Sequence, residues 1–248
     1  MEVLVCPSYD DLSIRAARIT AEQIRAKPDA VLGLPIGSTP IGLYRELVRM
    51  HREENLSFAR VRTFNLIEYI GLAADHPQSS HRFMREHLFD HVDIQPANVY
   101  SPSGLAADIE GHCAWYEKQI AECGGIDLEI LGIGTDGHIA FNEPGSALNS
   151  RTRRVALSRQ TMDDNARFFK SRQDVPMMAF SMGIGTILEA RRILLLANGP
   201  NKAGILTAAL EGIVNEMCPA SALQLHEHVI VLADESAASR LTAATTGR

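Results

Sequence analysis

The chain has 248 residues, of which 46% are hydrophobic and 22% are charged, and its formal net charge is −6 at pH 7. This composition is typical of a globular protein with enough residues for one large α/β domain or two small ones. The negative balance gives no general electrostatic reason to bind nucleic acid or an anionic membrane surface.

Strand-like apolar runs alternate with helix-like segments along almost the whole chain. In chain order, strands are predicted at residues 2–5, 30–34, 61–66, 126–131, 177–180, 193–197 and 229–233. Helices are predicted at residues 10–25, 41–52, 80–88, 106–122, 161–169 and 202–210. This alternation predicts a mostly parallel sheet with helices on both faces. Because no internal repeat or Pro/Ser-rich linker interrupts it, we predict a single α/β domain over residues 1–248.

The N-terminal residues, the lengths of the apolar runs and the spacing of the cysteines indicate the cellular compartment. The N-terminus has no basic segment followed by a sustained apolar one, and no apolar run approaches the roughly 20 residues that span a bilayer. The four cysteines lie far apart, with neither a CxxC pair nor a Cys/His metal pattern. We therefore predict a cytoplasmic protein with reduced thiols and no metal site.

Three titratable residues follow the predicted strand at 126–131. Asp136, His138 and Glu143 lie in a glycine-containing loop, where a parallel sheet would place a ligand-binding crevice. Two carboxylates and an imidazole are the groups needed to move protons to and from a small substrate. Each of the three alone is typical of a solvated turn, but the block as a whole favours a catalytic loop.

A second loop has the features of a phosphate site. Gly37, Ser38 and Thr39 follow the strand at 30–34 and precede a helix, so they would present backbone N–H groups and two hydroxyls at a helix N-terminus. The loop matches neither the Walker A pattern nor GxGxxG, so no nucleotide is implied. Arg167 and Lys202 are the cations that could complete the site. Taken locally, a helix cap without ligand explains the loop equally well, and a solvated surface charge is the better explanation of Arg167 and of Lys202 considered singly.

Several stretches together resemble the glucosamine-6-phosphate deaminase family, over nearly the whole chain. The matching residues are 32–40, 63–72, 76–79, 83–84, 89–94, 134–144, 150–153, 165–169, 201–203 and 223–226. The block Asp136-Gly-His-Ile-Ala-Phe-Asn-Glu-Pro144 is highly specific. The related 6-phosphogluconolactonases share its Asp-Gly-His core but continue with a Ser-Leu-Phe-Pro-type sequence, which is absent here.

The resemblance implies a Rossmann-like α/β fold and a reaction without metal or cofactor. In the family, an amino-sugar phosphate is ring-opened and isomerised, and ammonia is lost to leave a ketose phosphate. Carried over by motif, His138 would move the proton during ring opening, oriented by Asp136 and Glu143. The substrate phosphate would lie on the loop 37–39 with Arg167 and Lys202. Family members range from monomers to hexamers, so a homo-oligomer is one state the resemblance allows.

One position departs from the family pattern. The family has Phe-Asn-x-Asp-Glu-Tyr after the third strand, and its Asp takes the proton from C2. Here the stretch is Phe64-Asn-Leu-Ile-Glu-Tyr69, so Ile67 stands at the position of the base. Glu68 is the nearest carboxylate, but adjacent residues of an extended chain point to opposite sides.

Three interpretations follow from this departure. The chain is a deaminase in which another group takes the C2 proton, an enzyme on a related sugar phosphate such as a mutarotase or lactonase-like hydrolase, or a sugar-phosphate-binding protein without turnover. Regulation by an N-acetylated sugar phosphate is not expected, because Val155 stands where responsive family members have a Lys, although Ser146 and Arg153 match. His87 and His91 have helical spacing without a third ligand, which favours a surface role over metal binding.

Overall fold

The computed structural model describes residues 1–166 and 169–247, apart from the side chain of residue 164. The strands of this part of the chain are β1 (Glu2–Cys6), β2 (Val31–Leu34), β3 (Arg62–Asn65), β4 (Ile67–Tyr69), β5 (Val99–Tyr100), β6 (Leu128–Gly132), β7 (Arg153–Ala156), β8 (Met178–Ser181), β9 (Ile193–Ala197) and β10 (Val229–Asp234). The main sheet has the order β1-β10-β9-β6-β2-β3-β5, and each of its pairs is parallel. The prediction of an α/β fold with a mostly parallel sheet is confirmed.

Helices alternate with these strands. The α-helices are α1 (Tyr9–Ala26), α2 (Ile41–Glu54), α3 (Ser80–His87), α4 (Ile109–Glu122), α5 (Arg159–Asn165), α6 (Ile184–Leu188), α7 (Ala203–Glu211) and α8 (Ala243–Thr246). Polar side chains cap several of their first turns: Ser8 accepts from the N–H of Asp11 in α1, and Asp108 accepts from that of Gly111 in α4. No helix within the described ranges has the length and apolar character needed to cross a membrane.

Alternation along each central strand divides the core into two layers. Leu128 and Ile130 of β6 face the cluster that contains α1, α2 and α3, whereas Leu131 faces the cluster that contains α4 and α7. Because successive strand side chains point to opposite faces, strands covered on both faces are apolar throughout. The sheet is therefore covered by helices on both faces, as predicted.

An ionisable residue of the central strand β6 lies within this apolar interior. Glu129 of β6 is fully buried and pairs in register with Gly33 of β2. A Cβ added to Gly33 would lie 2.1 Å from Oε2 of Glu129, so only glycine leaves room for the carboxyl group. Neither oxygen of Glu129 has a hydrogen-bond partner among the described residues. Burial raises the pKa of this carboxyl well above its ordinary value of 4.5.

A second sheet, which the sequence did not predict, lies beside the main one. It has the antiparallel order β4-β8-β7. Leu66 joins the two sheets, since its N–H lies 3.4 Å from the carbonyl of Leu34 in β2, and its carbonyl accepts from Met182 at 2.8 Å after β8. The predicted strand 61–66 therefore ends early, and the chain continues into a different sheet. The polar segment around 151–156 forms its edge strand, β7.

Candidate active site

The carboxyl ends of β2, β3, β6, β9 and β10 meet at one edge of the main sheet, where parallel α/β sheets bind their ligands. The sequence-predicted loops follow three of these strands. Residues 35–39 follow β2, residues 133–143 follow β6, and residues 198–202 follow β9. The fold thus brings the predicted catalytic loop and phosphate loop to the same edge.

Asp136 and His138 form the central pair of the loop after β6. Oδ1 of Asp136 lies 2.7 Å from Nδ1 of His138 and also accepts the backbone N–H of His138 at 3.2 Å. A carboxylate at this nitrogen holds the proton on Nδ1 and leaves Nε2 available to accept or return a proton. The two side chains are 23% and 25% exposed, so a small molecule can reach them.

The charge of this pair is set by its environment. Burial raises the pKa of Asp136, but the hydrogen bond and the electrostatic attraction of the His138 ring outweigh it, and the pKa lies below its ordinary value of 3.8. Asp136 is therefore ionised at neutral pH and available to stabilise an imidazolium. This is the electrostatic arrangement expected of a general acid–base histidine.

The backbone of the loop is shaped for the imidazole. A Cβ added to Gly134 would lie 2.2 Å from Nδ1 of His138, so the ring packs directly over the glycine backbone. Gly134 donates its N–H to the carbonyl of His138 at 2.9 Å, which closes the turn. Behind it, Ala220 donates to the carbonyl of Gly137 at 2.9 Å. The histidine therefore lies on a closed turn that is also attached to the segment after α7.

The second sheet holds the far end of the same loop. Phe141 donates its N–H to Oγ of Ser181 at 3.1 Å, and Asn142 donates its side-chain amide to the carbonyl of Met182 at 2.8 Å. The carbonyl oxygen of the Asn142 side chain accepts from Arg153 of β7 at 2.7 Å. Burial lowers the pKa of Arg153. Arg153 thus makes a contact within the fold that fixes the residue before Glu143.

Glu143 is held by Ser158. Its carboxylate accepts the N–H of Ser158 at 2.8 Å and the hydroxyl of Ser158 at 3.0 Å. Within the described part of the chain, no hydrogen bond joins Glu143 to His138, whereas Asp136 contacts the imidazole directly. The expectation that Glu143 also orients His138 stays a prediction.

Ile67, at the position of the family base, is 8% exposed and belongs to the apolar cluster on the α4 side of the sheet. It begins β4 and pairs with Ser181, whose hydroxyl supports the catalytic loop. Position 67 thus lies in the strand next to the residues that hold Phe141 and Asn142. An alkyl side chain at this position supplies no proton acceptor.

Glu68 does not replace the missing carboxylate. Its oxygens accept the backbone N–H groups of Tyr69, Ser80 and His81 at 2.8, 3.1 and 3.2 Å, so it binds the first turn of α3. Burial has the largest effect on this group and raises its pKa to about 7, although the three N–H groups lower it. Because neighbouring residues of β4 point to opposite sides, Glu68 faces away from Ile67.

The predicted phosphate loop forms a turn between β2 and α2. The hydroxyl of Tyr9 accepts the N–H of Gly42 at 2.9 Å and lies 3.0 Å from the carbonyl of Thr39, which fixes the start of α2. Pro40, the residue before this helix, provides no side-chain cap. Ser38 is exposed. The loop therefore presents the exposed hydroxyl of Ser38 and the N-terminus of α2 at the sheet edge, where the N–H of Gly42 is already bound to Tyr9.

The loop after β9 is joined to this turn. Oγ1 of Thr39 donates to the side chain of Asn198 at 2.7 Å. Gly199 donates its N–H to the carboxylate of Asp234 at 2.9 Å, and Lys202 donates its N–H to the carbonyl of Gly199 at 3.1 Å. Lys202 is half-buried at the start of α7. The structure thus places Lys202 on the loop that contacts Thr39, whereas Arg167 lies outside the described residues.

Four supporting residues were not found from the sequence. They are Asn142, Ser158, Ser181 and Asn198, each of which holds a predicted site residue or its loop. Serine and asparagine are common at helix starts and in turns, so their local sequence has no signal that separates these roles. Across the described ranges, no group of three His, Cys, Asp or Glu side chains is arranged to hold a metal ion.

Comparison with known proteins agrees with this geometry. The family model described as glucosamine-6-phosphate isomerases/6-phosphogluconolactonase matches residues 8–232. Glucosamine-6-phosphate deaminase of Cellvibrio japonicus is 51% identical over 242 residues, which are 98% of this chain and 92% of the relative. Glucosamine-6-phosphate deaminase 1 of Bacillus subtilis is 50% identical over 239 residues, which are 96% and 99% of the two chains.

Comparison with solved structures also finds a glucosamine-6-phosphate deaminase. A monomeric glucosamine-6-phosphate deaminase superposes with a TM-score of 0.95 at 50% identity, covering 97% of this chain and 100% of the other. A 6-phosphogluconolactonase from Trypanosoma cruzi has a TM-score of 0.78 at 23% identity, over 97% of each chain. The second likeness shows a shared fold.

Proposed function

Because this chain belongs to the family of glucosamine-6-phosphate isomerases and 6-phosphogluconolactonases, we propose that it acts on glucosamine 6-phosphate. The reaction converts the amino sugar phosphate and water into fructose 6-phosphate and ammonia. The observation that carries the proposal is the hydrogen-bonded pair Asp136–His138 at the sheet edge that also holds the loop 37–39. The identity of about half to deaminases along almost the whole chain supports it.

In the proposed mechanism, the substrate phosphate binds at residues 37–39 with Lys202, and with Arg167, which lies outside the described residues. Backbone N–H groups, hydroxyls and cations are the groups that bind a phosphate dianion. His138 takes the proton of the C1 hydroxyl at Nε2 and returns it to the ring oxygen, which opens the ring and leaves an aldehyde at C1. Asp136 stabilises the imidazolium that forms between the two transfers.

The next step needs a proton acceptor at C2, and Ile67 provides none. Isomerisation moves the C2 proton to C1, and water then replaces the amino group at C2 as ammonia leaves. A general base contributes about 10²–10⁴ to the rate of such a proton transfer. Since Glu68 is bound to α3, we expect ring opening to be efficient and deamination to be slow.

The buried Ile67 favours a second candidate, a sugar-phosphate-binding protein without net turnover. The two functions share the phosphate loop and differ only at the C2 step. Ammonia formation therefore distinguishes them, and binding alone does not.

The test compares ammonia and fructose 6-phosphate formation by the chain, by Ile67→Asp and by Ile67→Val. Valine is the matched control, because it keeps a β-branched apolar side chain at the same position. We expect Ile67→Asp to raise the rate by about 10²–10⁴ and Ile67→Val to leave it unchanged. Binding of glucosamine 6-phosphate without ammonia from any variant would favour the binding protein. Absence of binding would refute both functions.

We also propose a cytoplasmic location and a single domain over residues 1–248. Phosphorylated sugars are retained inside cells, and Cys6, Cys113, Cys123 and Cys218 are all free thiols, as expected in a reducing compartment. A homo-oligomer stays a prediction, which sedimentation of the purified chain would test; a relative of 50% identity is described as monomeric.

A further inference from the structure

Ser158 contacts both oxygens of the Glu143 carboxylate. Its backbone N–H donates to Oε2 at 2.8 Å, and its hydroxyl donates to Oε1 at 3.0 Å. Two donors from one residue fix the plane of the carboxylate as well as its position. Each oxygen keeps a further lone pair that can accept a proton or a hydrogen bond from a substrate.

The hydroxyl oxygen of Ser158 is fixed in position by the start of α5. It accepts the N–H of Thr161 at 3.1 Å and lies 3.2 Å from Oγ1 of Thr161, a second and longer contact beside that to Glu143. The preceding residue, Leu157, is buried and donates its N–H to the carbonyl of Met177 at 2.9 Å. The donor pair on Glu143 is thus attached to the start of α5 and to the segment leading into β8.

The backbone that carries Glu143 is fixed as well. Asn142 is held by Met182, as described above, and Ser146 donates its N–H to the carbonyl of Glu143 at 3.0 Å. Gly145 donates to the carbonyl of Glu216 at 2.8 Å. These bonds fix the backbone on both sides of Glu143. The hydrogen bonds from Ser158 then determine the side-chain torsions of Glu143.

We propose that Ser158 is a positioning residue for Glu143, and this rests on the proposed function. It holds the carboxylate in one plane, so that Glu143 meets the sugar phosphate in a single orientation. The imidazole and the second carboxylate of the loop then have separate supports: Asp136 for His138, and Ser158 for Glu143. Precise placement of a reacting group contributes strongly to rate, and its loss costs about 10–100-fold.

The test uses Ser158→Ala and Ser158→Thr, made in the chain and in its Ile67→Asp variant. Ring opening is measured by NMR as exchange between the anomers of glucosamine 6-phosphate, and deamination is measured as ammonia release. We expect Ser158→Ala to lower kcat about 10-fold with little change in KM, and Ser158→Thr, which keeps the hydroxyl, to restore most of the rate. A fall in affinity without a fall in kcat, or failure of threonine to restore activity, would overturn the assignment.

A matched control separates positioning from helix capping. Ser8→Ala removes the same type of cap from α1, where the hydroxyl also accepts a backbone N–H three residues later. Both alanine variants are expected to lose stability, because each loses a helix cap, but only Ser158→Ala is expected to change kcat. An equal fall in kcat in both would assign the effect to stability.

A measurement on the free chain tests the contact itself. Glu143→Ala removes the acceptor of the Ser158 N–H, so the amide of Ser158 should exchange with solvent faster in this variant. Unchanged exchange would overturn the inference. Failure of the proposed function gives a different pattern: the parent chain and its Ile67→Asp variant both lack ring opening and deamination, while exchange at Ser158 still responds to Glu143→Ala.

Discussion

Replacing the buried Glu129 with glutamine is expected to stabilise the chain at neutral pH and to have little charge-related effect in acid. The carboxyl is fully buried against Gly33, and neither of its oxygens has a hydrogen-bond partner among the described residues. Such a group stays protonated when its pKa is raised by burial. Glutamine has nearly the same shape and is neutral at every pH.

The magnitude follows from proton linkage. In the unfolded chain the carboxyl ionises at its ordinary pKa of 4.5, whereas in the folded chain this pKa is raised well above that value. The folded chain therefore binds the extra proton, and stability falls as the pH rises above 4.5, until the pH passes the pKa of the folded chain. For a carboxyl still protonated at pH 7, the loss is about 3.4 kcal/mol, from about 1.36 kcal/mol per pH unit.

The assay is denaturant unfolding of the chain and of Glu129→Gln at pH 4 and pH 7. The gain in unfolding free energy from the substitution should be about 3 kcal/mol larger at pH 7 than at pH 4. The cost of burying the neutral amide is the same at both pH values, so it cancels in this difference. Glu22→Gln on the exposed face of α1 is the control, expected to change stability by less than about 0.5 kcal/mol. The same gain at both pH values would show that Glu129 is not protonated in the folded chain, and would refute the reasoning.

The remaining predictions concern the active site. Asp136→Asn removes the carboxylate that holds the Nδ1 proton of His138, so anomer exchange of glucosamine 6-phosphate should slow by about 10²-fold or more with little change in its Kd. A fall in affinity with an unchanged exchange rate would contradict the role of this pair. Thr39→Val removes the hydroxyl that joins the phosphate loop to Asn198. A neutral hydrogen bond contributes about 0.5–1.5 kcal/mol, so the Kd for inorganic phosphate and for the sugar phosphate should rise about 2–10-fold as the loop loses this support. Equal binding by the variant, measured by calorimetry, would show that Thr39 takes no part in the site.

The parallel sheet could be predicted because its strands are buried on both faces. Residues 193–197 are a continuous apolar run, and the structure has β9 at these residues. The second sheet has no such signal: β7 alternates between partly buried and exposed positions and carries two arginines. The break at Leu66 was missed for another reason. Apolar residues follow closely at Phe64, Leu66 and Ile67, so the sequence shows no break between β3 and β4. The change of sheet depends on a backbone bond to Met182, which is distant in sequence.

The candidate site could be predicted from the sequence where its titratable residues lie close together in one loop. Asp136 and His138 are two residues apart, and the turn at Gly134 makes their contact local. The partner of Glu143 is fifteen residues away, on a segment whose path depends on the second sheet. Ser158 has the ordinary features of a helix cap, so the sequence alone could not show that its hydroxyl also contacts a site carboxylate.

The two sheets divide the work of the site between them. The loop 37–39 and the Lys202 loop extend from the large parallel sheet, whereas Ile67, the bonds to the catalytic loop and the segment that leads to Ser158 belong to the small antiparallel one. The hydrogen bonds of β4 to β8 are made by the backbone, so they do not depend on which side chain stands at position 67. The large sheet thus carries the phosphate loop and the Asp136–His138 pair, whereas the small sheet carries position 67 and the contacts that hold the far end of the loop after β6. A substitution at position 67 is therefore expected to change the proposed C2 step without altering the backbone pairing of either sheet.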